Sequence, residues 1–236
     1  MPSSRPYRGV SADDRREQRR LLLLDTALDC LHDEGLAGIS VRSVCARARL
    51  TPRYFYENFA DLDQLLSAAV SAVTDEVATR AVAAVRRAPA DTESQVRAAI
   101  AAGYGVVAAD PRKASAMLVA GSGHGPLREH RHALVTGFAD LIIDSISVLN
   151  SLGLAERRRA RATALFVMGG SADVIEAVLS GRLRMSRATL VDELTALWLG
   201  ALASVTAAAP TGAAPGRAAS ARVRTGSTGT VPATRE

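Results

Sequence analysis

The chain has 236 residues, 48% of them hydrophobic and 22% charged, with a net charge of +5. That length suffices for one large domain or two smaller ones with a real core. Cys30 and Cys45 are too few for a disulfide framework or a four-cysteine zinc site. No uninterrupted apolar run reaches the roughly 18 residues of a membrane span, and no apolar segment follows the first charges as in a signal sequence, so the expected location is cytoplasmic with no membrane partner.

Aromatic residues make up only 4% of the chain, so its core is built from Ala, Leu and Val, which suits packed helices better than a β-sandwich. The charge is unevenly placed. Residues 1–60 carry ten Arg against eight acids, residues 61–209 are neutral, and residues 210–236 carry four Arg and one acid. From Leu36 to Tyr56 there are four Arg (Arg42, Arg47, Arg49, Arg53) and no acid. This is the pattern of a small anion-binding module on a neutral body, although Arg on short helices also serves simply to solvate a surface.

Along the chain, residues 1–10 read as disordered. Ser11 followed by Asp13 and Asp14 caps a helix that runs to Glu34 and stops at Gly35. Ser40 caps a short helix over Val41 to Ala48. Thr51-Pro52 opens a second one that extends to Phe59, with Pro at its first position. Asp61-Leu62-Asp63-Gln64 is a capping box for a long helix to about Arg87, and Thr92-Glu93-Ser94-Gln95 is another for a helix to about Ala109. Asp110-Pro111 starts a further helix. Gly121 to Pro126 is a loop. Helices follow over about 127–149, 155–180 and 186–207. The expected fold class is all-α with about nine helices and no confident strand. Residues 208–236, rich in Ala, Gly, Pro, Ser and Thr, read as a disordered basic tail.

Two short helices joined by a tight turn at Arg49-Leu50, after a longer helix, form a helix-turn-helix. Val41, Val44 and Cys45 face inward on the first short helix, Leu50 fills the turn, and Phe55 and Phe59, four apart, line the inner face of the second. Arg53, Tyr54, Glu57 and Asn58 then face outward, with Tyr56 at the edge. Outward Arg, Tyr and Asn suit DNA: a short helix fits the major groove, Arg grips guanine with two hydrogen bonds, and hydroxyls and amides donate to phosphate. The candidate DNA contacts are Ser40, Arg42, Arg49, Thr51, Pro52, Arg53, Tyr54, Tyr56 and Asn58. Arg53 is the first choice for base readout, and Arg42 is placed to hold a phosphate or reach the groove edge.

The stretch Leu23 to Leu66 resembles the DNA-binding domain of the TetR family of bacterial transcriptional repressors. The resemblance rests on Leu23-Leu24-Asp25-Thr26-Ala27, Gly35, Ser40-Val41-Arg42-Ser43-Val44, Leu50-Thr51-Pro52-Arg53-Tyr54-Phe55-Tyr56, Phe59 and Leu65-Leu66. Two positions depart from the family pattern. Arg49 stands where the family often has Gly, and Leu62, between Asp61 and Asp63, stands where it often has a phosphate-binding Lys. The resemblance implies a helix-turn-helix domain over 11–66 and a helical effector-binding and dimerisation domain over 67–207. It also implies a homodimer on operator DNA, released by an unidentified small-molecule effector.

The last two helices carry broad apolar stripes, and Met168, Ala172, Ile175, Leu179, Leu194, Leu197 and Trp198 are the candidate dimer contacts. Tyr104, Met117, His124, Phe138, Ile142 and Phe166 are candidates to line an effector pocket, although each also suits a plain core. His130 and His132 are two apart on a helix and point in different directions, so no metal site is expected, and no cofactor is implied. Gly121 to Gly125 lacks the Lys and preceding strand of a phosphate loop. Asp173 and Glu176 lack the His of a di-metal site, and no catalytic constellation is present, so no enzyme is expected. The alternative is a helical small-molecule-binding protein whose N-terminal helices merely cap the core. The outward Arg53, Tyr54, Tyr56 and Asn58 distinguish the two, because a cap has no use for them.

Overall fold

The computed structural model describes residues 11–121, 135–137 and 154–207, and among these the chain is helical with no strand. Its helices are α1 (Ala12–Gly38), α2 (Val41–Ala48), α3 (Pro52–Tyr56), α4 (Leu62–Val85), α5 (Thr92–Ala109), α6 (Pro111–Gly121), α7 (Leu154–Leu179) and α8 (Arg187–Ala207). The helix expected over 127–149, the glycine loop after Gly121 and both termini fall outside the described residues, apart from a helical stretch at 135–137.

Local chemistry accounts for most of the boundaries. The Ser11 hydroxyl accepts from the Asp14 amide at 2.9 Å and the Asp14 carboxylate accepts from the Ser11 amide at 3.2 Å. This capping box holds the Asp14 carboxyl below the usual carboxylate range. Gly35, at φ 66°, breaks the helical path of α1 as expected, but a further turn carries the element to Gly38. The cap of α5 is Asp91, one residue before the expected Thr92, and its carboxylate accepts from the Ser94 amide at 2.8 Å. At α4 the Asp61 carboxylate accepts from the Gln64 amide, while the Gln64 side chain reaches back to the amide of Ala60.

The first helices form a head. Leu23, Ala27, Cys30 and Leu31 of α1 pack with Val44 and Cys45 of α2, with Phe55 and Phe59, and with Leu65 and Leu66 of α4, all buried. Cys30 and Cys45 are free cysteines buried in this core, and burial pushes both thiols up. The same core continues without a break into Tyr104, Val107, Ala116, Ala120, Leu190 and Leu194. α4 crosses from head to body as one helix; α5 packs along it, α6 lies against α1, and α8 packs on α5 and α7. By length and composition alone, the Arg157–Leu179 and Arg187–Val205 stretches could cross a membrane, despite lacking an uninterrupted apolar run.

The turn between α2 and α3 takes the unusual geometry that Arg49 invites. Arg49 sits in the left-handed region (φ 54°, ψ 37°), and among the described residues it is the one non-glycine residue with positive φ. Its amide donates to the Ala46 carbonyl at 3.2 Å and the Leu50 amide to the Cys45 carbonyl at 3.0 Å, which closes the end of α2. A side chain in this region costs about 1–2 kcal/mol relative to the right-handed one. Arg49→Gly relieves that cost at the expense of a looser unfolded chain, and is expected to hold or raise stability by up to about 1 kcal/mol. Arg49→Val, branched at Cβ, is expected to lower it by about 1–2 kcal/mol, an order that thermal melts of the two variants check.

Candidate nucleic-acid interface

α3 has five residues, too short to persist by its own hydrogen bonds. Phe55 holds it. Its ring is fully buried, 6.1 Å from Phe59 and edge-on to Tyr56 at 5.3 Å. With Phe55 inward, Thr51, Pro52, Arg53, Tyr54 and Tyr56 are exposed, together with Ser40, Arg42 and Arg49. Tyr56 is the more exposed of the two tyrosines, at 60% against 38% for Tyr54.

Two expected contacts have other work. Asn58 is half-buried, and its Nδ2 donates to the Tyr54 carbonyl at 2.7 Å. It therefore satisfies a carbonyl at the C-terminal end of α3, a helix that ends at Tyr56 and not at Phe59. Ser40 is the N-cap of α2: its hydroxyl accepts from the Ser43 amide at 3.0 Å and donates to the Ser43 hydroxyl at 3.2 Å. Thr51 makes no such cap bond, and its exposed hydroxyl is left for other partners.

The acid-free Arg stretch divides into committed and outward-facing cations. Arg47 bonds Asp33 at 2.5 Å and Glu34 at 3.2 Å, tying α2 to the end of α1, and the bond to Asp33 raises its already high pKa. Arg42 and Arg49 form no ion pair among the described residues. Arg53 is 84% exposed and donates through Nε to Glu57 at 3.1 Å. Leu62 packs against the head core, so that position offers phosphate no cation.

Sequence reasoning missed what holds α3 from behind. Arg16 of α1 donates to the Glu57 carbonyl at 2.6 Å. The Arg19 guanidinium lies over the Tyr54 ring at 4.6 Å and reaches the Glu57 carboxylate at 3.7 Å, and Arg20 lies over Phe59 at 4.8 Å. The Arg53/Glu57 spacing of four was a readable signal. The contacts from α1 were not, since they join residues about forty apart.

A second missed cluster joins head to body. Arg112, in the first turn of α6, contacts Asp25 at 3.0 Å and Asp29 at 2.8 Å on α1, and Asp110 at 3.0 Å. Its bonds to Asp110 and Asp29 raise its own pKa and hold the Asp110 carboxyl below the usual range. One turn on, His32 Nδ1 and the Ser115 hydroxyl are 3.0 Å apart.

The body corrects several expectations. Phe166 lines no interior: it is 82% exposed on the outer face of α7. Leu194 and Trp198 are buried by their own chain, in the packing of α8 on α5 and α7, with Trp198 Nε1 donating to Ser171 at 3.0 Å. They are thus not open to a second copy. Leu197, on the other face of α8, is 60% exposed. Met168, Ala172, Ile175 and Leu179 are half-buried. Tyr104 is a buried core residue and Met117 is partly buried against the same core, while His124, Phe138 and Ile142, like His130 and His132, lie outside the described residues. Among the described residues no group of acids, His and Cys could hold a metal.

The Arg112 cluster predicts a measurable junction. Arg112→Ala is expected to cost about 1–2 kcal/mol, since it strands two partly exposed acids side by side on α1. Asp29→Asn in the Arg112→Ala background is expected to add less than it does alone, which a double-mutant cycle on denaturant melts reads directly.

Comparison with known proteins bears on the architecture. No family model matches the chain. An HTH-type transcriptional regulator, BetI of Paraburkholderia phytofirmans, is 35% identical over 89 residues, 38% of this chain and 46% of that protein, so the chain spans about half the length of the curated relative it matches. Among solved structures, a TetR-family transcriptional regulator from Streptomyces coelicolor aligns at a TM-score of 0.62, with 19% identity over 81% of this chain and 83% of that one. The fatty acid degradation regulator FadR from Bacillus halodurans aligns at 0.63, with 15% identity over 77% and 95%. With a helix-turn-helix head docked on an α-helical body, the chain has the fold of the TetR-family transcriptional regulators.

Proposed function

We propose that this protein is a cytoplasmic, sequence-specific DNA-binding regulator. In this reading it is a homodimeric repressor that leaves a palindromic operator when a small-molecule effector binds its body. One observation carries the reading: the exposed surface of α3 and its flanks presents Arg53, Tyr54, Tyr56 and Thr51, with Arg42 and Arg49 beside them, and the half-buried acid next to them, Glu57, is paired with Arg53. A helix-turn-helix that merely capped a core would place inert polar residues there. Arg53 is the base reader in this proposal. Arg42 and Arg49 neutralise phosphate, and Tyr54, Tyr56 and Thr51 donate hydroxyls to the backbone. The named relatives and neighbours are regulators, which supports the same class.

In this reading the dimer contact uses the outer faces of α7 and α8. Ala162, Phe166 and Gly170 on α7, and Ala196, Leu197, Gly200 and Ala203 on α8, are exposed, with no charged residue among them. A Cβ added at Gly169, Gly170 or Gly200 would meet nothing within 4 Å, so among the described residues no neighbouring helix uses these small positions for close approach. A flat apolar strip with glycines facing outward suits the matching strip of a second copy. It also accounts for the apolar character of both helices without a membrane. Two heads on such a dimer read two half-sites about one DNA turn apart.

Two experiments test the reading. Mobility shifts at low salt with the DNA upstream of the chain's own gene should show a discrete complex. Arg53→Ala should relax sequence preference, whereas Arg42→Ala should weaken binding to all sequences and flatten the salt dependence by nearly one ion. Absence of binding to any duplex, or identical effects of the two substitutions, would refute the assignment. Sedimentation of Phe166→Glu and Leu197→Glu should show monomers that keep their helical circular dichroism, and dimers in both would place the subunit contact elsewhere.

A further inference from the structure

Resting on the reading of α3 as the DNA-reading helix, we propose that Glu57 is a specificity-determining, positioning residue that aims Arg53 at a guanine and keeps it off phosphate. Glu57 is held from two directions. Its backbone carbonyl accepts from Arg16 at 2.6 Å and its Oε2 faces Arg19 Nη2 at 3.7 Å, while Arg19 in turn rests on the Tyr54 ring. The acid is about one-third exposed, so it is a fixed point on an otherwise exposed helix. Against that point Arg53 docks through Nε, at 3.1 Å to Oε1.

The choice of nitrogen matters. A guanidinium has two edges that can pair with a planar acceptor. Glu57 takes Nε, and among the described residues Nη1 and Nη2 have no partner. Those two terminal groups form the fork that matches O6 and N7 of guanine in the major groove. The long Arg side chain is thereby partly ordered before it meets DNA, which lowers the entropy that binding must otherwise overcome. The carboxylate also compensates the Arg53 charge locally and repels phosphate. Arg53 therefore gains little from sliding onto the DNA backbone, and sequence-independent binding is held down.

The two effects have opposite signs on different DNA, which separates this role from a structural one. The experiment uses the full chain and two probes, a random-sequence duplex pool taken through selection and sequencing, and a fixed duplex lacking the selected motif. Glu57→Ala is expected to reduce the preference for guanine at the position read by Arg53 about threefold. It is also expected to tighten binding to the non-motif duplex and to steepen its log–log salt dependence by nearly one ion, as the released Arg53 takes up a phosphate. Glu57→Gln keeps an acceptor for Nε without the charge, so it should retain most of the guanine preference while still tightening non-motif binding. In an Arg53→Ala background, Glu57→Ala should leave the base preference unchanged. Weaker binding of Glu57→Ala to both probes would mark a purely structural role and overturn the proposal. So would an unaltered guanine preference in Glu57→Ala when Arg53→Ala abolishes it. If Arg53→Ala itself leaves the preference intact, the assignment of Arg53 as base reader fails instead.

Discussion

The head depends on the burial of one ring. α3 is little more than one helical turn, and an isolated turn of that length does not survive in water. Phe55 is fully buried in a core whose only other buried aromatic ring within the head, among the described residues, is Phe59. Aromatic residues are scarce in this chain, and two of its four Phe are spent at this one place. Their bulk sets the rotation of α3 about its own axis, and that rotation decides which residues face out. The exposure of Arg53 and Tyr56, the half-burial of Glu57 and the retreat of Asn58 to the helix end all follow from the phase that Phe55 imposes.

Around this core the arginines divide by task. Arg47 and Arg112 are tied to acids of α1 and act as struts, one within the head and one between head and body. Arg16, Arg19 and Arg20 brace α3 through a carbonyl and two ring faces, uses for which the planar guanidinium is better suited than a lysine ammonium. Arg42, Arg49 and Arg53 face solvent. A net charge therefore says little by itself. What sets the outward row apart is that Arg42 and Arg49 form no ion pair among the described residues and Arg53 is bonded only through Nε, whereas Arg47 and Arg112 are each held by two or more acids.

The local parts of this architecture were legible because their causes are local. Ser11 with Asp14, Asp61 with Gln64, Pro52 at the start of α3 and the Phe55/Phe59 pair each act within a few residues, and each appears where its spacing placed it. The contacts of Arg112 with residues 83 and 87 positions away leave no periodic trace. The body was less legible for another reason. α7 and α8 are apolar on more than one side, so their stripes do not reveal which side meets the chain's own core. Leu194 and Leu197 look alike in sequence, yet one is buried and the other open. The bond of Asn58 was not legible because an outward-looking amide can also turn back to a carbonyl one helical turn earlier.

The position of the Arg112 cluster on α1 gives that helix a mechanical character. Asp25 and Asp29 sit near its middle, Arg16 grips α3 toward one end, and the break at Gly35 lies toward the other. From Asp25 to Arg16 the helix rises about 13.5 Å. The helix that Arg112 anchors near its middle is thus also the one that grips α3 through Arg16 at one end and α2 through the Asp33 and Glu34 bonds to Arg47 at the other, so a single rod joins the parts of the head to the body.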